Sequence, residues 1–331
     1  MIVVEGNICS GKSTVAKRIA EEFDFVHFPE VTMDMMFIND NGFDIRSIEH
    51  HFPKLLRPFD EKKFYAEPDS KLVPNYLYEL FCIRVQQYCD AMAHVLNTGQ
   101  GVVLERSPFS DCVFVESLLK CGYVTAEDLQ VHYNMQNNVF NQIYKPHLVI
   151  YLDVPVDVLQ KRIMDRNNPA EVSSKIRWAD YLGGIDGHYK KVYLPSLRDQ
   201  SELLIYDWSS FGDTEALLED IERVDFETSL NDFHEPKLRE WKNKNTREWA
   251  EIRYMVTSKR LYIVNLAYYT PRLNHPEFVA GAEAVEEYNE LYEKYYPSYE
   301  PKFDPKNGLG YLFNMGNGLK YKLGRFAFRT R

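Results

Sequence analysis

Short apolar segments alternate with longer amphipathic stretches over the first 225 residues of the chain. The apolar segments predict five strands, at residues 2–4, 24–30, 102–104, 147–153 and 201–208. Between them, apolar residues recur with the helical period, which predicts helices at 14–23, 74–96, 125–142 and 156–167. A further helical stretch covers 173–198, where Gly183 and Gly184 predict an interruption. Because strand and helix alternate, we predict an α/β fold with a doubly wound, parallel five-stranded sheet.

The first predicted strand runs into a glycine-rich segment, GNICSGKST, which fits the phosphate-loop pattern G-x-x-x-x-G-K-[ST]. The two glycines of the pattern let the backbone point its N–H groups at a polyphosphate, and the positive end of the following helix adds a favourable field. Lys12 is expected to reach the terminal phosphates, and the Ser13 hydroxyl to bind Mg²⁺. We therefore predict a nucleotide site formed by Gly6, Asn7, Ser10, Gly11, Lys12, Ser13 and Thr14.

Carboxylates follow two of the other predicted strands. Glu30 ends the second predicted strand, and Glu105 directly follows the third, before Arg106. The carboxyl ends of parallel strands line the ligand crevice, so Glu30 is a candidate reacting group, Glu105 a metal ligand and Arg106 a phosphate contact. Each of these roles has a structural alternative. In the alternative for Glu30, this residue only opens a surface loop. In the alternative for Glu105 and Arg106, the two residues form an ion pair that closes the sheet edge.

Two arginines lie four residues apart on the predicted helix at 156–167. Arg162 and Arg166 therefore share one face of that helix. They are placed to close over a phosphate, or they belong to a solvated face, because Asp157 and Asp165 lie among them.

The bulk composition narrows the class of protein. A net charge of -10 argues against a nucleic-acid partner, since binding a polyanion requires a basic surface. The five cysteines are scattered and form no C-x-x-C pair, which favours a reducing or matrix-like compartment over a disulfide scaffold or a zinc site. No apolar run of membrane-spanning length occurs. The chain starts almost inside its first strand, so it is expected to be cytosolic or the mature product of a longer precursor.

In order and spacing, the runs GNICSGKST, HFPE, LERSPFSD and IYLDVP resemble the deoxyribonucleoside kinases over residues 2–225. The resemblance implies that Glu30 is the base for a nucleoside 5′-hydroxyl, that Glu105 is a partner of Mg²⁺ and that Arg106 contacts phosphate. It also implies a base pocket and a mobile lid, with Arg84 and Asp111 facing the nucleobase and Arg162 and Arg166 in the lid.

The chain departs from the family pattern at positions that matter for catalysis. Leu77 joins the base pocket where the family has a base-reading Gln, and Asn168 replaces a third lid arginine. Val31 follows the catalytic Glu in place of Pro, and Cys9 replaces an Ala of the loop. The loss of one arginine can cost phosphoryl transfer a factor on the order of a thousand. We therefore predict a site that holds a purine nucleotide with Mg²⁺ but is poorly equipped for turnover.

The runs QYCDAMAHVLNTGQGVVLERSPFSD and PHLVIYLDVPV more narrowly resemble the kinase-like accessory subunits of mitochondrial respiratory complex I. This resemblance implies a structural or assembly role at the matrix side of the inner membrane, with other subunits of the membrane arm as partners. It implies no redox cofactor and no part in electron transfer. An active deoxyribonucleoside kinase, which transfers the γ-phosphate of ATP to a nucleoside 5′-hydroxyl, is the alternative.

Residues 226–331 differ in charge from the kinase-like domain predicted at 1–225. They contain seventeen Lys or Arg against fourteen Asp or Glu, which leaves -13 for the first 225 residues. We predict helices at 235–254 and 279–295 and a β-prone run at 260–269. The basic, aromatic end, KYKLGRFAFRTR, is typical of a protein interface, and contact with lipid head groups is a second expectation. Packing of the extension back onto its own domain is the structural alternative.

Overall fold

The computed structural model describes residues 1–39, 42–226, 236–242, 244–270 and 280–295. It divides into two compact units. The first comprises Met1–Val31 and Lys62–Ala267, and the second comprises Thr32–Glu61 and Tyr268–Arg331. The first unit thus continues past the predicted domain end at 225, because two helices that follow this position pack on a long helix of the unit.

A parallel sheet forms the centre of the first unit. Among the described residues its strands are β1 Ile2–Gly6, β2 Val26–Phe28, β3 Val102–Glu105, β4 Leu148–Asp153 and β5 Glu202–Asp207. The strand order is β2-β3-β1-β4-β5, and every neighbouring pair is parallel. The predicted α/β class, five strands and parallel pairing are therefore confirmed. All of β1 and β3 is buried, as expected of strands covered by helices on both faces.

The helices of the first unit connect these strands and cover the sheet. Their bounds are α1 Lys12–Glu22, α3 Glu61–Ala66, α4 Val73–Thr98, α5 Cys112–Cys121, α6 Ala126–Phe140, α7 Val156–Arg166, α8 Pro169–Val172, α9 Trp178–His188, α10 Leu194–Leu197, α11 Thr214–Arg223, α12 Thr246–Ser258 and α13 Arg260–Leu266. The second unit contains α2 Asp34–Phe37 and α14 Ala282–Tyr295. Short 3-10 turns occur at Ile45–His51, Lys54–Leu56, Pro108–Ser110 and Arg239–Trp241, and a π-helical turn at Tyr189–Tyr193. None of the described helices is long and apolar enough to cross a membrane.

The interruption predicted at Gly183 and Gly184 is wrong, because α9 runs through both residues. Gly184 lets α9 approach α5 closely: a Cβ at this position would lie 2.2 Å from the Ser117 hydroxyl oxygen. The glycine serves helix packing here and does not break the helix, since helix–helix contact offsets its low helix propensity.

Two predictions for the region after 225 are corrected. The β-prone run at 260–269 forms α13, because Ile263, Val264 and Ala267 are buried together and this packing overrides their β propensity. The helix predicted at 235–254 begins only at Thr246, where Asn245 forms a capping box with Glu248. The helix predicted at 279–295 is confirmed as α14.

In the second unit, aromatic contacts join α14 to the segment 45–52. The Tyr288 ring lies 4.5 Å from that of Phe52, and the Tyr295 ring stacks on His51 at 4.4 Å. Tyr288 is buried as a result. The described part of the extension beyond Ala267 therefore packs on an insertion near the start of the chain, within a unit of its own.

Candidate phosphate-binding site

The glycine-rich loop lies between the end of β1 at Gly6 and the start of α1 at Lys12. Gly6 has φ +149°, and a Cβ there would lie 2.7 Å from the Ser10 hydroxyl oxygen, so a side chain would not fit. Gly11 has φ +99° and supplies no side-chain cap to α1. The positive end of α1 is thus open toward the loop, as an anion site requires.

Two buried polar atoms beside the loop have no hydrogen-bond partner within the described part of the chain. They are the hydroxyl oxygen of Ser10 and Nε of Arg106. Such atoms are normally paired, and a phosphate oxygen would satisfy both types of donor. The donor set at this loop therefore fits a polyphosphate.

Lys12 is buried below the loop, with only 5% of its side chain exposed. Its Nζ donates to the carbonyl oxygen of Asn7 at 2.8 Å and lies 3.9 Å from Oε2 of Glu30. Burial, and secondly the positive charge of Arg106, hold the pKa of Lys12 well below its ordinary value. A phosphate at this position would compensate the buried ammonium group.

Glu30 and Arg106 form an ion pair at the carboxyl ends of β2 and β3. Nη2 of Arg106 also donates to the carbonyl oxygen of Gly6 at 3.1 Å, and the guanidinium lies over the Phe114 ring at 4.5 Å. Arg106 has φ +65°, a left-handed conformation that few non-glycine residues adopt. Arg106 thus connects the end of β3, the glycine-rich loop at Gly6 and the candidate base Glu30.

Glu105 uses both of its carboxylate oxygens. The Ser13 hydroxyl donates to Oε2, and Nε2 of His27 lies 2.8 Å from Oε1. The structure therefore brings the two predicted Mg²⁺ ligands together, but it adds a histidine that the sequence analysis missed. The signal was a polar residue inside the short strand β2, where His27 is the first residue of the HFPE run.

The predicted base-pocket residues lie on and beside α4. Leu77 and Arg84 are both buried on this helix, two turns apart, and Arg84 pairs with Asp111. His132, also missed, lies with Nε2 2.9 Å from Oδ2 of Asp111. Burial, and secondly the charge of Arg84, lower the pKa of His132 to about 3, so its imidazole is neutral.

The two lid arginines have different positions. Arg162 donates to the carbonyl oxygens of Trp208 at 2.7 Å and Ser10 at 3.3 Å, and it lies over the Phe211 ring at 3.9 Å. It therefore contacts the loop and is not part of a purely solvated face. Arg166, the last residue of α7, instead pairs with Glu171 of α8.

Glu5 is a third residue that the sequence analysis missed. It is fully buried in β1 and accepts hydrogen bonds from Tyr189 at 2.9 Å, Ser107 at 3.1 Å and Tyr193 at 3.3 Å. Burial raises the pKa of this carboxyl group. The signal was an acidic residue within an otherwise apolar strand.

The sequence model of the family described as Deoxynucleoside kinase matches residues 2–241. A mitochondrial protein of Bos taurus, NADH dehydrogenase [ubiquinone] 1 alpha subcomplex subunit 10, is 35% identical over 298 residues, which cover 88% of this chain and 80% of that protein. The Rattus norvegicus protein of the same name is 34% identical over 85% of this chain and 74% of its own length.

A deoxyguanosine kinase of Dictyostelium discoideum is 27% identical over 68% of this chain and 70% of its own length. Among solved structures, a deoxyadenosine kinase from M. mycoides with bound dCTP is similar with 19% identity and a TM-score of 0.48, over 67% of this chain and 97% of that one.

Proposed function

The chain belongs to the deoxynucleoside kinase family, and from this premise we propose that it is a kinase-like accessory subunit of mitochondrial respiratory complex I. In this role it takes no part in electron transfer and contributes to structure or assembly. The nucleotide site of the kinase fold remains as a part of the scaffold.

One observation carries this proposal. The match to the kinase family ends at Trp241, whereas the similarity to the Bos taurus subunit covers 88% of the chain and so must continue beyond that residue. The similarity to the Dictyostelium discoideum deoxyguanosine kinase covers only 68%. The region that distinguishes this chain from a kinase is thus shared with a subunit of a respiratory complex.

The site geometry supports the same proposal. Leu77, buried in the base pocket, offers no hydrogen bond to a nucleobase. Asn168, which stands where the family resemblance implies a lid arginine, accepts a hydrogen bond from the Ala170 N–H and caps α8. Phosphoryl transfer depends on charges positioned around the phosphate. A lid without this arginine therefore favours nucleotide binding without catalytic turnover.

We propose that the retained loop binds a purine nucleotide. The relatives with kinase names include deoxyguanosine and deoxyadenosine kinases, whose nucleosides are purines. The orphaned donors of Ser10 and Arg106 and the buried Lys12 supply the contacts for phosphate. A ligand that binds only the folded chain would stabilise it by mass action.

The proposed place of the protein is the matrix side of the inner membrane, bound peripherally to other subunits of the membrane arm. The names of the relatives support the coarser part of this proposal, a mitochondrial location among the subunits of complex I. The basic end at 320–331 is the proposed docking segment, with lipid head groups as a second contact. These residues lie outside the described part of the chain.

Native-gel fractionation of detergent-solubilised mitochondria, with mass spectrometry of this chain in each fraction, tests the proposal. We expect the chain to migrate with the respiratory complex and to be absent from fractions of monomer or dimer mass. A predominant free pool would contradict the accessory role.

An active deoxyribonucleoside kinase is the second candidate, and a specific observation favours it. Lys12, at the start of α1, lies close to Glu30, which pairs with Arg106 at the carboxyl ends of β2 and β3, where an acceptor hydroxyl and a phosphate would meet. A phosphorylation assay of the free chain with each deoxynucleoside and ATP separates the two functions. We expect no turnover above that of a Glu30→Gln variant.

A further inference from the structure

The carboxylate of Glu105, at the end of β3, is the acidic group beside the loop that is best placed for a divalent cation, yet protein donors already form hydrogen bonds to it. Ser13 donates to one oxygen, and Nε2 of His27 lies at hydrogen-bond distance from the other, 2.8 Å away. A carboxylate only accepts, so the proton of this contact is on Nε2 of His27. The carboxylate itself is only 2% exposed.

Mg²⁺ requires near-octahedral oxygen coordination and gives up its water reluctantly. To bind at this loop it would have to separate the Ser13 hydroxyl from Glu105 and compete with His27 for the second oxygen. A second carboxylate nearby, that of Glu30, is paired with Arg106 and lies close to Lys12. The oxygen ligands are present, but their arrangement does not fit a bound Mg²⁺.

The position of His27 follows from the pairing of two strands. β2 pairs with β3 in the register His27 to Val103 and Phe28 to Leu104. Glu105, the last residue of β3, lies two residues beyond Val103, so its side chain is on the same face of the sheet as the imidazole of His27 and diagonally adjacent to it. Most of the ring is shielded, with 18% of the side chain exposed, so its hydrogen bond to the carboxylate is protected from competition by water.

We propose that His27 takes the place of the divalent cation at Glu105, so that the loop binds purine nucleotide without requiring Mg²⁺. This inference rests on the nucleotide binding proposed above and specifies it. The phosphate charge is then met by Lys12, Arg106 and Arg162, all of which lie at the loop. A nucleotide held in this way lacks the cation that phosphoryl transfer uses, in keeping with a scaffold role.

Isothermal titration calorimetry of the full chain with dGTP and dATP, in buffer with MgCl₂ and in buffer with EDTA, tests the inference. For the natural chain we expect the two dissociation constants of each nucleotide to agree within about threefold. In His27→Phe, which keeps a ring but has no N–H group, we expect Mg²⁺ to tighten binding by roughly tenfold or more.

Two further variants make the assignment specific. His27→Gln retains an N–H donor and is expected to restore binding that is independent of Mg²⁺. His94→Phe replaces a histidine on α4 that contacts Gln100 at 3.0 Å, and it should behave like the natural chain. Circular dichroism and the melting temperature of each variant establish that it is folded.

The outcomes separate this inference from the proposed nucleotide binding. Binding of the natural chain that strengthens tenfold or more with Mg²⁺ would overturn the inference and leave the nucleotide site intact. If nucleotide binding is independent of Mg²⁺ in both the natural chain and His27→Phe, His27 is not the cause of that independence. Absence of binding in both buffers would refute the nucleotide site itself and the inference with it.

Discussion

Lys12 illustrates how one buried charge prepares a site for an anion. Its ammonium group is removed from water, and within the described structure it has a carbonyl at 2.8 Å and a carboxylate at 3.9 Å. Desolvation of a cation is costly unless a charge compensates it. A bound phosphate would provide that compensation, so Lys12 is the residue on which nucleotide affinity is expected to depend most.

We predict that Lys12→Ala abolishes the stabilisation of the folded chain by nucleotide. A ligand at a hundredfold excess over its Kd adds about 2.7 kcal/mol to the free energy of unfolding. The measurement is the melting temperature with and without dGTP. Lys17→Ala, which removes an exposed lysine from the same helix, serves as the matched control and should keep the full shift. An unchanged shift in Lys12→Ala would show that Lys12 does not hold the nucleotide.

His132 determines a pH dependence of stability. Burial, then the charge of Arg84, lower its pKa to about 3, against about 6.5 in an unfolded chain. The unfolded chain therefore takes up a proton that the folded chain does not. Stability is complete above pH 6.5 or so and falls as the pH drops from there toward 3. Between pH 7 and pH 5 this group alone removes about 2 kcal/mol.

We predict that His132→Gln loses about 2 kcal/mol less stability than the natural chain between pH 7 and pH 5. Urea unfolding at both pH values measures this change, and it is the pH dependence that matters, since the substitution also lowers the absolute stability. His94→Gln, at a partly buried histidine of α4, is the control. The same pH dependence in His132→Gln and the natural chain would contradict the assignment.

At the scale of elements, the contact between α5 and α9 depends on a single missing side chain. A Cβ on Gly184 would lie 2.2 Å from the Ser117 hydroxyl oxygen, and this hydroxyl donates to the carbonyl oxygen of Tyr181 at 2.6 Å. The serine is thus held in place and has little freedom to move away. At Gly183, the preceding residue, a Cβ would meet nothing within 4 Å apart from its chain neighbours and the backbone of its own helix.

Alanine substitutions at these two neighbouring glycines are expected to change the free energy of unfolding in opposite directions. Gly184→Ala should lower the free energy of unfolding by about 1–3 kcal/mol, because it overpacks the contact between two helices. Gly183→Ala should raise it by about 0.5–1 kcal/mol, because alanine favours the helix and meets no obstacle. Urea unfolding of both variants measures this. Equal effects of the two substitutions would show that the close approach of α5 and α9 does not limit stability.

For the whole molecule, charge is distributed unevenly along the chain. The first 225 residues carry -13, whereas residues 320–331 contain five basic residues and no acidic one. Aromatic and arginine side chains in one segment are typical of interface anchors. We therefore expect this segment to act in assembly and not in folding of the sheet-containing unit.

We predict that deletion of residues 320–331 reduces incorporation of the chain into the respiratory complex while the melting temperature changes by no more than a few degrees. Native gels of mitochondria that express the truncated chain measure incorporation. Replacement of Arg325 and Arg329 by Gln, with the aromatic residues kept, separates the effect of charge from that of length. Normal incorporation of the truncated chain would refute the role of this segment in docking.

The α/β class, the five parallel strands, the position of the glycine-rich loop between β1 and α1, and the family were predictable from the sequence. These features depend on local patterns: buried parallel strands are continuous apolar runs, and the loop requires glycine and lysine at fixed spacing. Predictions from local pattern were wrong at Gly184, where a helix interruption was expected, and at 260–269, where a β-prone run was expected. There, contact with another helix and burial of Ile263 and Val264 outweighed the intrinsic preference of the residues.

The partners of the site residues were decided by the tertiary structure alone. His27 lies beside Glu105 because β2 and β3 pair in one register, and a shift of one residue would turn the imidazole to the other face of the sheet. Arg162 lies at the loop because α7 packs where the carbonyl oxygens of Ser10 and Trp208 converge. Residue type and spacing along the chain determine which chemistry is available, whereas distances between residues far apart in sequence exist only once the strands and helices have packed.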